Sequence, residues 1–147
     1  MAIAANKKAY HDYTILEKLE VGIELKGTEV KSVKAGKTSI KESYVKILKD
    51  EVFILNMYIG SYEFGNIHNV DERRTRKLFL HKKEISKLAG KVSAKGFTLV
   101  PLKVYQKKRL IKLEIGLAQG KKLHDKREVL AKRDQLRDIN RELKNYR

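Results

Sequence analysis

The sequence predicts a mainly β chain with short helices, a small antiparallel barrel followed by a basic helical tail. Three observations carry that prediction. Six short runs have strand character and are separated by hairpin-like connections. Only two short stretches before Gly120 show helical periodicity. After Gly120 the chain turns to charged residues with sparse apolar ones, with no proline or glycine from Lys121 to the end.

Taken in order, Tyr13 to Val21 sets Ile15, Leu16, Leu19 and Val21 among Glu17, Lys18 and Glu20, a strand that Gly22 is expected to break. Thr28 to Gly36 begins with a capping residue, spaces Val30 and Val33 three apart and stops on glycine, the signature of a short helix. Tyr44 to Leu48 and Val52 to Ile59 read as antiparallel strands joined through Lys49-Asp50-Glu51. A polar loop from Gly60 to Arg76 closes on the basic run Arg73-Arg74-Thr75-Arg76-Lys77 and is expected to be functional. Leu78 to Leu80 is a short strand. Lys82 to Val92 is a helix by the spacing of Ile85, Leu88, Ala89 and Val92, with Gly90 weakening its last turn. Phe97 to Tyr105 and Leu110 to Leu117 are the last strands. The second turns Ile111, Leu113, Ile115 and Leu117 inward and Lys112 and Glu114 outward. Pro101 directs the first toward a sheet edge or a bulge.

Short strands of this kind manage their exposed edges by curling toward one another, so the expected architecture is a closed or partly closed antiparallel barrel of oligonucleotide-binding type spanning residues 1–120. Residues 121–147 form the tail. On a helical wheel Val129, Leu136, Ile139, Leu143 and Tyr146 share a stripe about 100° wide, and Arg133, Arg137, Arg141 and Lys144 share the neighbouring one. Such a rod suits a channel lined by phosphates and bases, or else packs its apolar stripe on the barrel. Because isolated helices of this length are marginal in water, the tail is expected to become helical on binding.

Thirty-four Lys and Arg against eighteen Asp and Glu leave a net charge of +16, which repels itself unless a polyanion neutralises it. RNA, DNA and an acidic membrane are the candidate partners. The membrane loses ground because no apolar run approaches the roughly 20 residues needed to span a bilayer, and Met1 to Tyr10 lacks the apolar region of a signal peptide. The expected location is cytoplasmic. The chain contains no cysteine, which removes disulfides, zinc knuckles and thiol nucleophiles.

Signs of catalysis are weak. Ala35-Gly36-Lys37-Thr38-Ser39 imitates the end of a phosphate-binding loop, but the first glycine of that motif would fall at Lys31, inside the predicted helix, and a strand is expected after it. His11, His68, His81 and His124 are too widely spaced for a local metal pair, and Asp71-Glu72 reads as solvated charge in a polar loop. No cofactor, no metal and no enzymatic activity are expected. Contacts with RNA are better supported. In Lys77-Leu78-Phe79-Leu80-His81 a strand turns Leu78 and Leu80 one way and Lys77, Phe79 and His81 the other, giving an aromatic between two basic groups that can stack on an unpaired base. The competing reading has Phe79 covering the core edge.

Three runs resemble the small protein B family and together span almost the whole chain. They are Asn6-Lys7-Lys8-Ala9 with Tyr13, Glu20, Gly22, Leu25 and Gly27 to Ser32; Arg74 to Lys82; and Gly116-Leu117-Ala118-Gln119-Gly120-Lys121-Lys122-Leu123-His124-Asp125-Lys126-Arg127, the most specific. The resemblance implies a barrel that docks on the elbow of the tRNA-like domain of transfer-messenger RNA. It further implies a tail that enters the vacant decoding site and messenger channel of a stalled ribosome, so that the charged RNA arrives with elongation factor Tu and trans-translation begins. A monomer is expected.

Carried over by position, the resemblance assigns Asn6, Tyr13, Glu20, Phe79, His81, Gly120, Lys121 and Lys122 to the RNA and His124, Asp125, Lys126 and Arg127 to the decoding-site tail; Lys7 and Lys77 are expected to join the first set, and Arg133, Arg137, Arg141, Leu143 and Tyr146 of the helical stripes the second. Glu20 is the informative member. A carboxylate facing RNA repels phosphate, so it either accepts hydrogen bonds from a base or belongs to a salt bridge on the barrel rim. Two departures stand out: the family usually has leucine where Phe79 stands, and a proline where this chain has Asp71-Glu72-Arg73.

Overall fold

In the computed structural model, residues 2–62 and 70–121 are described; the predicted tail beyond Lys121 and most of the loop before Asp71 lie outside them. The element order is β1 (Ala2–Ala5), α1 (Lys7–Asp12), β2 (Tyr13–Ile23), α2 (Gly27–Lys34), β3 (Thr38–Ser39), β4 (Tyr44–Leu48), β5 (Glu51–Leu55), β6 (Tyr58–Ile59), β7 (Arg76–Phe79), α3 (Lys82–Lys95), β8 (Thr98–Lys107) and β9 (Leu110–Gly120). Seven strands form one antiparallel sheet in the order β1-β8-β9-β2-β7-β5-β4, and β3 pairs with β6 separately. The hydrogen-bonded order is open at β1 and β4. The sheet curls so that β4 comes against β8, and packing rather than a paired seam completes the partial barrel.

The inner face carries the core. Val21, Ile23, Val52, Ile54, Leu78, Val104, Leu113 and Ile115 meet there, and Val33 of α2 with Ile85 and Leu88 of α3 join the same cluster. The alternation expected for the last strand holds, with Ile111, Leu113, Ile115 and Leu117 buried and Lys112 and Glu114 half-exposed. The β4–β5 hairpin turns at Lys49 and Asp50, both at positive φ (50° and 63°), the backbone of a two-residue turn that follows the strand twist.

Several expectations need correction. Gly22 does not break β2, which continues to Ile23. Gly22 is paired on both sides, with Lys112 and with Phe79. The run expected to extend from Val52 to Ile59 is two strands, because Asn56 takes φ 61° and turns the chain out of register. Pro101 does not mark an edge, since β8 lies between β1 and β9, but the pairing does shift between Pro101 and Lys103, the bulge that a residue without an N–H favours. Helix α3 runs through Gly90 to Lys95 and ends on Gly96 at φ 67°. β1 and α1 give too short a periodic pattern to stand out in the sequence.

The imitation of a phosphate loop is a helix C-terminus. Gly36 at φ 82° donates to the Val33 carbonyl and Lys37 to the Ser32 carbonyl, each at 2.9 Å, the paired bonds of a Schellman stop. The amides there are directed back into α2.

Candidate nucleic-acid interface

Of the described candidates, Glu20, Lys77 and Phe79 share the outer face of β8, β9, β2 and β7. Its composition follows from the strand period: residues that alternate with the core on four adjacent strands must all emerge on one side. Tyr105, Lys112, Gly22 and Phe79 form one transverse row, each paired with the next. At a strand spacing of about 4.8 Å this row spans about 14 Å. Lys103, Glu114 and Glu20 form the row beside it.

Phe79 is 51% exposed, far from a core residue. Its neighbour explains how the ring sits: a Cβ on Gly22 would come within 3.3 Å of Phe79 Cδ2, so the missing side chain lets the ring lie over the adjacent strand. Lys77, two residues back, is half-exposed and 3.6 Å from Glu51. The reading in which Phe79 covers the core edge fails.

Glu20 is exposed and held at both oxygens. Tyr105 donates its hydroxyl to Oε2, and Lys107 Nζ lies 3.3 Å from Oε1. The Tyr105 hydrogen bond is the main reason the carboxyl lies below its usual range, with Lys107 adding to it against some desolvation. Desolvation first, and then Glu20, push the Tyr105 phenol well above its ordinary value, so the phenol keeps its proton and remains the donor. Lys103 stands 5.2 Å over the Tyr105 ring and 3.8 Å from Glu114. The rim ion pair is therefore present in the free protein, while each carboxylate oxygen has more than one acceptor site to offer.

The other described candidates gather about 20 Å along β2, seven residues from Glu20, at the end of the face covered by α1. There Ala9, Tyr13, Ile15, Val100, Leu102 and Ala118 pack as a small second core. A Cβ on Gly116 would come 2.9 Å from Leu102 and 3.1 Å from Ile15, so this glycine is what permits the packing. Tyr13 is half-buried, and burial, then Asp12, raises its phenol. Tyr10, 43% exposed with Lys18 5.3 Å over its ring, is the more open aromatic here and went unnoticed in the sequence. Lys7 is exposed on the first turn of α1; Gly120 pairs with Tyr13. Lys121 caps α1, its amide donating to the Asp12 carbonyl at 3.2 Å and its ammonium to the Tyr10 carbonyl at 2.9 Å.

Two candidates serve the fold in ways the residue pattern did not suggest. Asn6 is 7% exposed and its amide donates to the Pro101 carbonyl at 3.0 Å, pinning α1 to the bulge of β8. It is not an open RNA contact as the chain stands. His81 is exposed, yet β7 ends at Phe79, and His81 instead precedes α3 with its amide donating to Glu84 at 3.0 Å. It leaves the strand alternation that placed it beside Lys77 and Phe79. Lys122, His124, Asp125, Lys126, Arg127, Arg133, Arg137, Arg141, Leu143 and Tyr146 lie outside the described residues.

The basic run Arg73 to Lys77, on which the loop closes, does not face one way. Arg76 is fully buried. It binds Glu29 through Nε at 2.6 Å and again through Nη2, and donates to the Met57 carbonyl at 2.7 Å. Arg74 reaches the same carboxylate at 2.6 Å. Desolvation is the largest influence on Glu29 and opposes its charge, but hydrogen bonds from Arg74, the Lys26 amide and Arg76 outweigh it and hold the carboxyl below its usual range. Burial lowers the Arg76 guanidinium, with Glu29 opposing. Arg73 lies 5.6 Å over the Tyr58 ring.

Comparison with known proteins places this face in context. Residues 3–145 match the family described as SmpB protein. The chain belongs to this family. An SsrA-binding protein of Fusobacterium nucleatum is 57% identical over 99% of this chain and 98% of its own length. Another, of Caldicellulosiruptor bescii, is 57% identical over 98% of this chain and 91% of its own. A solved chain described in "tmRNA-SmpB: a journey to the center of the bacterial ribosome" superposes with a TM-score of 0.68 at 52% identity, covering 83% of this chain and 86% of that one. The barrel family expected from three sequence runs is thus the family of the chain. Among the described residues no helix is long and apolar enough to cross a membrane, and no group of metal-binding side chains occurs.

Proposed function

We propose that this chain binds the tRNA-like domain of transfer-messenger RNA through the outer face of β8, β9, β2 and β7 and carries that RNA to stalled ribosomes for trans-translation. One observation supports the site most directly: Phe79, half-exposed on its glycine seat, stands in a row with Lys112 and beside Glu20, so an aromatic face, a cation and a base-accepting carboxylate lie within reach of one unstacked nucleotide. Relatives 57% identical to it are SsrA-binding proteins, and the similar solved chain comes from a tmRNA-SmpB complex of the bacterial ribosome. The work is binding, with no covalent step.

In this reading Lys7, Tyr10, Tyr13, Gly120, Lys121 and Lys122 extend the contact along the elbow. The unit of residues 1–120 holds the RNA, and the tail of 121–147 fills the vacant decoding site and messenger channel. Elongation factor Tu joins through the charged RNA, the protein acts as a monomer, and the location is the cytoplasm. The test is competition between the tRNA-like RNA and ordinary tRNA for the purified protein. A clear preference for the former is expected, and a chain cut after Gly120 should keep that preference while failing to support tagging. Equal affinity for both RNAs would identify a general RNA-binding protein instead.

A further inference from the structure

We infer that the β8–β9 hairpin is a second arm of this interface, gripping the phosphate backbone that flanks the nucleotide set against Glu20 and Phe79. The inference rests on the RNA-binding reading above. It starts from an imbalance of charge. Lys103, Lys107 and Lys112 stand on the outer face of this hairpin and Lys108 and Arg109 are exposed at its tip, against Glu114 and, on the neighbouring β2, Glu20. The two acids are used by Lys103 at 3.8 Å and Lys107 at 3.3 Å. Lys108, Arg109 and Lys112 form no ion pair among the described residues. Three unmatched cations in one small region favour a polyanion, and phosphates on a continuous strand match their spread better than one anion does.

Position and shape agree. Gln106 to Leu110 are all exposed, and Leu110 at 60% has the largest exposure of any large apolar side chain described. The hairpin is continuous with the Glu20–Phe79 patch: Tyr105 and Lys107 reach back to Glu20, and Lys112 pairs beside Gly22, the seat of Phe79. The turn itself is fixed, with Lys108 at φ 57° and its carbonyl accepting from Gln106 Nε2 at 2.9 Å. A polynucleotide that stacks a base on Phe79 would therefore run its backbone over Lys112 toward Lys108 and Arg109. Phosphate contacts position without reading sequence, so this arm adds affinity and not discrimination, dividing the labour with Glu20.

That division makes the test clean. The variant K108G/R109Q removes both tip charges and leaves at position 108 the residue best suited to positive φ, so the hairpin is retained. Binding of the tRNA-like RNA by the full-length protein is measured from low to high salt, together with the competition against ordinary tRNA and the melting temperature. The expected result is weaker binding at low salt with unchanged preference and unchanged melting. Losing two phosphate contacts lowers the salt slope by about 1.4 to 1.8, so the wild-type advantage shrinks about 25- to 60-fold per tenfold rise in salt. An unchanged slope and affinity overturns the inference, as does a loss of preference at constant slope, which would make the tip a reader of bases. The two readings fail separately. If the wild-type protein shows no preference for the tRNA-like RNA, the proposed function falls; if that preference stands and the variant binds like wild type, only the hairpin arm falls.

Discussion

Glu29 and Glu20 are both glutamates held by side chains from distant strands or loops, yet one is buried and the other faces water. Glu29 is 3% exposed and ties α2 to Arg74 and Arg76, bringing helix, loop and β7 to one point. Glu20 sits on the outer face between Tyr105 and Lys107. Identical chemistry thus performs two tasks. Inside, where the charges have lost their water, the ion pairs cannot be dropped singly. Outside, where water competes, they are weak and exchangeable, which is what the proposed contact with RNA requires. The placement of Phe79 depends on both: the inner cluster anchors the start of β7 at Arg76, and the outer face receives its end.

The largest effect expected from this contrast is on stability. Glu29→Gln leaves Arg76 buried without its counter-charge, which should cost about 3–5 kcal/mol, read from the urea midpoint at unchanged slope. Glu20→Gln, which breaks only exposed bonds, should leave that midpoint where it is. The pH dependence sharpens the point. Folding lowers the Glu29 pKa from its ordinary 4.5, so its contribution is complete above that value and is lost as pH falls through the folded-state pKa. Acid should therefore destabilise the wild type more steeply than Glu29→Gln below about pH 4.5. Equal acid sensitivity of the two would show that the inner cluster contributes nothing through its charge.

How much of this was legible in the sequence depends on the range of the signal. Period-two alternation in Leu110 to Leu117 and the exposure of Phe79 could be read locally, because a strand's faces are written in neighbouring residues. The fate of Arg74 and Arg76 could not. Their partner Glu29 is more than forty residues away and emerges inside only because β7 lies between β2 and β5. The same limit hid Tyr105 and Lys107: Lys103, Tyr105 and Lys107 alternate visibly, but only the order β8-β9-β2 brings them to Glu20. Asn6 and His81 show another limit: Asn6, read as a surface contact, is pinned under the bulge of β8, and His81, though exposed, leads into α3 and so leaves the alternation that the strand period gave it.

A second prediction concerns Phe79, where the outer face is expected to affect binding without affecting the fold. Phe79→Ala removes a ring that is 51% exposed, so folding stability should change little. Affinity for the tRNA-like RNA should fall by about 1–3 kcal/mol, the worth of one stacked base. Phe79→Leu should retain the apolar contact and lose only part of this. If Phe79→Ala unfolds the protein and leaves RNA affinity of the folded fraction intact, the ring belongs with the inner cluster and the contrast between the two glutamates no longer maps onto function.

The smallest effect is also the most specific, and it separates a residue that positions from one that touches. Tyr105→Phe keeps the ring, its contact with Lys103 and the strand pairing, and deletes only the hydroxyl that donates to Glu20. Glu20→Ala should cut the preference for tRNA-like RNA over ordinary tRNA by about tenfold, the scale of one base contact, and Tyr105→Phe by less, since the carboxylate remains. The sign of the pH effect distinguishes the two. Tyr105 is the main reason the Glu20 carboxyl lies low, so its loss raises that pKa. In Tyr105→Phe, preference for the tRNA-like RNA should therefore begin to fail at a higher pH on the acid side than in wild type. In Glu20→Ala the reduced preference should show no such titration. A profile for Tyr105→Phe that overlays the wild type would mean that Glu20 does not act as an ionised acceptor, and its bonds to Tyr105 and Lys107 would then be a brace across β9 and nothing more.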